Sequence, residues 1–108
     1  MPAWRLNYRK IIGSGDVVLG DRIAGLVSDG SAARAIRLPD ACKCEGQSFL
    51  FKDEDGSISS SSAKRVDLVS KLGQTFDGEP TYRLTAKRGV CEVYSDGCNW
   101  QVLRSGSP

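Results

Sequence analysis

The chain has 108 residues, a formal charge of +2 and no histidine. This length is typical of one domain with a thin hydrophobic core. The lack of histidine excludes Ser-His and Cys-His nucleophile pairs, and the near-neutral charge argues against a dedicated nucleic-acid-binding protein. No run approaches the roughly 20 apolar residues of a membrane helix, and Met1–Lys10 lacks the apolar core of a signal peptide. We therefore expect a single soluble domain that is not an enzyme and uses no cofactor or metal.

Short apolar runs separated by turn residues predict nine strands. In chain order these are Tyr8–Ile12, Val17–Leu19, Arg22–Ser28, Ala33–Leu38, Ser48–Lys52, Arg65–Ser70, Thr81–Ala86, Val90–Tyr94 and Asn99–Leu103. Many short strands at this spacing favour a sandwich or barrel over an α/β fold. The predicted fold class is therefore all-β, a small antiparallel β-sandwich or barrel, with residues 1–8 as an N-terminal arm, 9–104 as the domain and 105–108 as a flexible tail.

Four Asp-Gly dipeptides support the division into short strands. They begin at Asp29, Asp55, Asp77 and Asp96. Asp-Gly is typical of tight hairpins, because a type I′ turn places both central residues at positive φ.

The segment 61–73 is compatible with two kinds of element. Val66, Val69 and Leu72 have a helical spacing, whereas Val66, Leu68 and Ser70 alternate as in a strand. The serine run before the segment reads as a loop, so we favour a strand.

The last two strands predict a hairpin with Asp96-Gly97 as a two-residue loop. This register pairs Val93 with Trp100 and Cys91 with Val102. Cys91, Val93, Trp100 and Val102 then share an apolar core face. The opposite face carries the polar or amphipathic side chains Glu92, Tyr94, Asn99 and Gln101.

The four cysteines leave several interpretations open. Their spacing, Cys42-x-Cys44 and Cys91-x6-Cys98, fits zinc knuckles poorly. In the predicted hairpin Cys91 and Cys98 lie roughly 13 Å apart along the ladder, too far for a disulfide. Free thiols are therefore favoured, with Cys91 as a small core residue, ahead of some disulfide, including one between chains, and ahead of a metal site.

Two segments are candidates for binding. The acidic turn Asp53–Gly56 offers oxygen ligands, but no further carboxylate follows at the spacing of a calcium loop, so we favour a solvated turn. The arm combines aromatic and basic residues, with Trp4, Arg5 and Tyr8 as the candidate contacts. It fits a docking segment or an added strand about equally well, and nucleic acid less well.

The order of motifs resembles a β-structured module of bacteriophage virion proteins, especially tail-fibre and tail-spike tips. The residues that carry the resemblance are Arg37-Leu38-Pro39-Asp40-Ala41, Gly46–Asp53, Ser57–Ser62, Thr75-Phe76-Asp77-Gly78, Thr81–Leu84 and Ser95-Asp96-Gly97-Cys98-Asn99-Trp100. The resemblance covers about residues 8–103. Departures from the module are the cysteines at 42, 44 and 98 and the basic residues at 64, 65, 83, 87 and 88.

The resemblance implies a virion protein, assembled in the host cytoplasm as a homotrimer whose chains share a core. With no fibre shaft before the module, we expect a capsid decoration (cement) protein. In that role Trp4, Arg5 and Tyr8 dock onto the major capsid protein. The alternative is the receptor-binding tip of a tail fibre, whose partner would be a host-surface glycan. We expect neither specific nucleic acid nor a membrane as partner.

Overall fold

A computed structural model of the chain describes residues 8–30, 33–59 and 65–106. The protein is all-β, as predicted. The strands are β1 (Tyr8–Ile12), β2 (Gly15–Asp16), β3 (Ile23–Val27), β4 (Arg34–Leu38), β5 (Ser48–Asp53), β6 (Val66–Ser70), β7 (Thr81–Leu84), β8 (Val90–Ser95) and β9 (Trp100–Gly106). A short 3-10 turn, Ala41–Lys43, follows β4. Segment 66–70 is thus a strand, as favoured.

The strands form two open sheets. The five-stranded sheet has the order β1-β3-β5-β8-β9, and the four-stranded sheet has the order β2-β4-β6-β7. From β1 to β6 the chain alternates between the sheets. Each of the successive pairs β1–β2, β3–β4 and β5–β6 thus passes once through both sheets, and we call each pair a coil. The strands β7, β8 and β9 then complete both sheets.

The prediction of antiparallel sheets is wrong in part, because both sheets are mixed. The pairs β1–β3, β3–β5, β2–β4 and β4–β6 are parallel, and β5–β8, β6–β7 and β8–β9 are antiparallel. Parallel neighbours need a long crossover connection. Here the strand that lies between them in sequence belongs to the other sheet and serves as the crossover connection. Short strands joined by short loops can therefore form parallel pairs as well as hairpins.

The hydrophobic core draws on the inward faces of both sheets. Its largest fully buried side chains are Trp100, Phe49, Phe51 and Phe76. The rings of Phe49 and Trp100 lie 5.5 Å apart at a tilt of 55°, a favourable aromatic geometry. Aliphatic residues of the four-stranded sheet, including Ile36 and Leu68, belong to the same core cluster.

The register predicted for the closing hairpin is wrong by two residues. Ser95 pairs with Trp100 and Val93 with Val102, and a bulge follows between Glu92 and Val93. The Asp96 carboxylate accepts hydrogen bonds from the N–H groups of Cys98 and Asn99 (2.9 and 2.8 Å). These bonds close a four-residue loop in place of the two-residue turn. A shift of two preserves the side-chain face, so Cys91, Val93 and Trp100 are buried and Val102 packs against the core.

The second predicted strand, Val17–Leu19, is also wrong. The strand is Gly15–Asp16, and the chain turns immediately after it. The Asp21 carboxylate accepts from the N–H of Val18 (3.1 Å), and the Asp21 N–H donates to the Val18 carbonyl (3.0 Å). These bonds bend the apolar run into a turn.

Candidate assembly surface

The outer face of the five-stranded sheet carries exposed apolar side chains. The register places Tyr8, Ile12, Ile23 and Tyr94 on this face, and they are 36% to 62% exposed. Tyr8, Ile23 and Leu50 are direct neighbours across β1, β3 and β5. They therefore form a continuous apolar row on the outside of the molecule. Contiguous exposed apolar residues of this kind commonly mark interaction sites.

One buried carboxylate lies on the same face. The Glu92 side chain is only 9% exposed and accepts hydrogen bonds from Arg22 Nη2 (2.9 Å) and Arg104 Nε (3.0 Å). The two arginines come from the start of β3 and from β9, so the network crosses the sheet above β8. The two arginines compensate the charge of Glu92, and the network forms a charged group beside the apolar row.

A second polar group covers the face near β1. The Tyr8 hydroxyl donates to Glu54 Oε2 (2.7 Å), and Lys10 Nζ lies 3.9 Å from Glu54 Oε1. The hydrogen bond to Glu54 is the main cause of a raised pKa at Tyr8. Glu54 folds onto the sheet because Gly25 has no side chain; a Cβ there would lie 2.0 Å from Glu54 Oε2.

The outer face of the four-stranded sheet also carries ion pairs, and here they cover most of the face. Asp16 contacts Arg37 Nε (2.6 Å) and Lys71 Nζ (2.5 Å), and Asp67 contacts Arg83 Nε (3.0 Å) and Arg65 Nε (3.4 Å). Lys71 and then Arg37 lower the pKa of Asp16 through their hydrogen bonds. This face is suited to water.

Of the three predicted arm contacts, Trp4 and Arg5 lie outside the described residues. Tyr8 is the first residue of β1, and its ring is exposed on the outer face of the five-stranded sheet. The arm therefore leads directly into the edge of the apolar face.

The acidic turn differs from the solvated turn that we favoured. Asp53 is 1% exposed and accepts backbone N–H groups of Ser57 (3.2 Å), Ile58 (3.2 Å) and Arg88 (2.8 Å). Asp55 is exposed. Burial opposes its ionisation, but hydrogen bonds from the Ser57 hydroxyl and the Ser28 and Ser57 N–H groups outweigh burial and lower the pKa of Asp55 to about 2. Both carboxylates therefore bind the protein's own backbone.

The chemistry available elsewhere is limited. All four cysteines are free; Cys91 is buried in the core, and burial raises its pKa to about 11. Within residues 8–30, 33–59 and 65–106, no three metal-ligating side chains come together. No helix in these ranges has the length and apolar character needed to cross a membrane.

Side-chain faces were predicted only for the last two strands, so the apolar outer face of β1, β3 and β5 was not predicted. The signal in the sequence is that several strands are apolar at consecutive positions, as in Ile11-Ile12 and Phe49-Leu50-Phe51. Such runs are typical of strands covered on both sides.

Comparison with models of known protein families and with curated protein sequences found no match to this chain.

Proposed function

We propose that the protein is a structural component of a bacteriophage virion, a trimeric capsid decoration (cement) protein that binds the major capsid protein. The observation that carries this proposal is the apolar outer face of the five-stranded sheet, opposite the ion-paired outer face of the four-stranded sheet. In this role the two sheets form a small sandwich, and the apolar face is buried against copies of the same chain. The role involves no enzymatic step.

The size of the protein and the position of its apolar residues support the proposed self-association. A domain of this length buries only about 60–70% of the surface that its unfolded chain exposes, so a symmetric contact would add stability to a thin core. The row Tyr8–Ile23–Leu50 crosses three strands and provides the apolar centre of such a contact. The Arg22–Glu92–Arg104 network lies beside this row and supplies polar contacts at its margin.

The arm provides a contact separate from the body. Trp4 and Arg5 precede Tyr8, and aromatic and arginine side chains are enriched among residues that dominate binding energy. In the proposed assembly the body trimerises through the sheet while the arm reaches the neighbouring capsid protein.

Two measurements test this function. Sedimentation analysis of the purified protein should give a mass three times that of the 11.7-kDa chain. Labelled antibody against the protein should then decorate lattice points on the heads of virions that contain it. A monomer in solution, or label on no virion structure, contradicts the proposal.

The arm is tested with the double variant Trp4→Ala/Arg5→Ala. Capsid occupancy should fall while the solution mass of the body remains trimeric, because the substitutions leave β1 intact. A matched control, Lys87→Ala, changes an exposed loop residue outside the arm and should keep full occupancy. Full occupancy of the arm variant contradicts the docking role.

One observation favours a tail-fibre tip as the second candidate. The three coils stack in parallel, and the first coil presents the edge strands β1 and β2 at the same end of the molecule. Such edges can accept a further pair of parallel strands, as when a domain continues a fibre. Label on the tail, together with binding of the purified protein to host-cell glycans, would support this role over decoration.

A further inference from the structure

The loop after β4 and the loop of the closing hairpin meet at one end of the molecule. The Ser95 hydroxyl donates to the Ala41 carbonyl (2.6 Å), and the Gly46 N–H donates to the Ser95 carbonyl (2.8 Å). Ser95 is 1% exposed, so these bonds are shielded from water. Cys42 lies in the first loop and Cys98 in the second, and both are exposed.

The segment Gln74-Thr75 holds both loops. Gln74 Oε1 accepts from the Ala41 N–H (2.9 Å), and Gln74 Nε2 lies 3.8 Å from Cys42 Sγ. The N–H of Thr75 donates to Asn99 Oδ1 (2.9 Å), directly after Cys98. The two exposed thiols are therefore carried by segments fixed against the same dipeptide.

The thiols of the other two cysteines are buried. Cys44 is buried, and its thiol donates to the Asp40 carbonyl (3.4 Å). Cys91 is 1% exposed and lies in the core. An oxidant in solution therefore reaches Cys42 and Cys98 first.

We propose that Cys42 and Cys98 form a reversible disulfide within one chain, by exchange with a small disulfide such as oxidised glutathione. One cysteine thiolate attacks the small disulfide, forming a mixed disulfide and releasing one glutathione thiolate. The thiolate of the second cysteine attacks the protein sulfur of the mixed disulfide and releases the second glutathione. Each cysteine loses one proton, the protein loses two electrons, and the oxidant is reduced to two thiols.

The new bond would join the loop after β4 to the closing hairpin. It would close a long loop of the chain, and such a cross-link restricts the unfolded state. This redox response goes beyond the proposed virion role and does not depend on it.

Exchange should accelerate as the pH rises above neutrality. Burial, followed by the negative charge of Asp40 and then by Cys98 and Asp96, raises the pKa of the Cys42 thiol. Its thiolate, the reactive form, is therefore scarce at pH 7.

The test treats the reduced protein with oxidised glutathione, blocks remaining thiols and maps tryptic peptides without reduction. Cleavage after Lys43 separates Cys42 from Cys44, but Cys91 and Cys98 share the tryptic peptide 89–104. A second cleavage with chymotrypsin after Tyr94 separates these two, so each link then gives a different peptide. We expect loss of two thiols per chain, a Cys42–Cys98 peptide, and a higher urea midpoint that reverts on reduction. The variant Cys44→Ser should respond in the same way, whereas Cys98→Ser should show no shift.

Three results would overturn the proposal. They are a Cys42–Cys44 link, a disulfide between chains seen as a dimer on a non-reducing gel, and stable glutathione adducts on both exposed cysteines. In each of these results, Cys42 and Cys98 fail to form a disulfide with one another within the chain.

Discussion

The outer faces of the two sheets differ in the side chains that the strands direct outward. On the four-stranded sheet, Asp16 and Asp67 each contact two basic side chains, and these residues remain partly exposed. On the five-stranded sheet, Tyr8, Ile23 and Tyr94 face outward, and the acid Glu92 is enclosed by two arginines. The outer face of the four-stranded sheet is therefore polar, whereas the outer face of the five-stranded sheet leaves apolar side chains exposed beside its ion pairs.

The hydrophobic core formed by the inward faces does not by itself explain how many apolar residues the strands of the five-stranded sheet contain. A strand such as β5, with Phe49 and Phe51 inward and Leu50 outward, is apolar beyond what one core requires. The proposed self-association would cover this second face, and strands covered on both faces are typically apolar on both.

The largest expected effect comes from placing a charge on each outer face. Ile23→Glu should weaken self-association by roughly 100-fold, because it buries a carboxylate at the centre of the apolar row. The matched variant Val69→Glu, beside Arg37 on the four-stranded sheet, should leave the trimer intact. Sedimentation over a concentration series measures both; dissociation by Val69→Glu alone would reverse the assignment of the faces.

A smaller effect should separate the two acid–arginine networks. Glu92→Gln should lower the free energy of unfolding by about 2 kcal/mol, below the roughly 3–5 kcal/mol of a fully buried pair, because both arginines are partly exposed. Asp67→Asn should cost only about 0.5 kcal/mol, as for surface pairs. Urea unfolding of the two variants gives the comparison, and equal losses would show that the two networks do not differ in burial energy.

The smallest effect concerns acid stability. The pKa of Asp55 is about 2 when folded and about 3.9 when unfolded. The carboxylate thus stabilises the fold above pH 4, and this contribution is lost as the pH falls from about 4 to about 2. Because Asp55 is exposed, solvent screening reduces the contribution to about 1 kcal/mol. Asp55→Ala should remove this part of the pH dependence of unfolding.

Salt distinguishes this carboxylate from its counterpart on the four-stranded sheet. Asp55 is held by N–H groups and a hydroxyl at the ends of β3 and β5, so 1 M salt should change its contribution little. Asp16 is held by Lys71 and Arg37, and the effect of Asp16→Ala should disappear in 1 M salt. A salt-insensitive Asp16 would contradict the comparison.

Apart from β2, strand positions were predictable because local chemistry decides them. The glycines of the four Asp-Gly dipeptides, at 30, 56, 78 and 97, all adopt positive φ as expected, but among the four aspartates Asp77 alone does, so the other three dipeptides do not form type I′ turns. The inward side chains Cys91, Val93 and Trp100 follow from alternation alone. These features depend on neighbours within a few residues.

The rest depends on residues far apart in the chain. Parallel pairing of β3 with β5 requires β4 to cross to the other sheet, which no local pattern specifies. The burial of Glu92 requires Arg22, which is 70 residues away. A turn at Asp96 was predicted, but its length was not. The Asp96 carboxylate accepts from two nearby N–H groups, and the sequence does not show that these bonds close a four-residue loop.

The position of β5 has a consequence for the order of folding. It pairs with β3 on one side and with β8 on the other, and both partners are distant in sequence. The β8–β9 hairpin joins strands that are adjacent in the chain, so it can form before the sheet that it completes. Closing the long loops around β5 is slow. A nascent chain therefore leaves one edge of β5 unpaired until the closing hairpin has been synthesised.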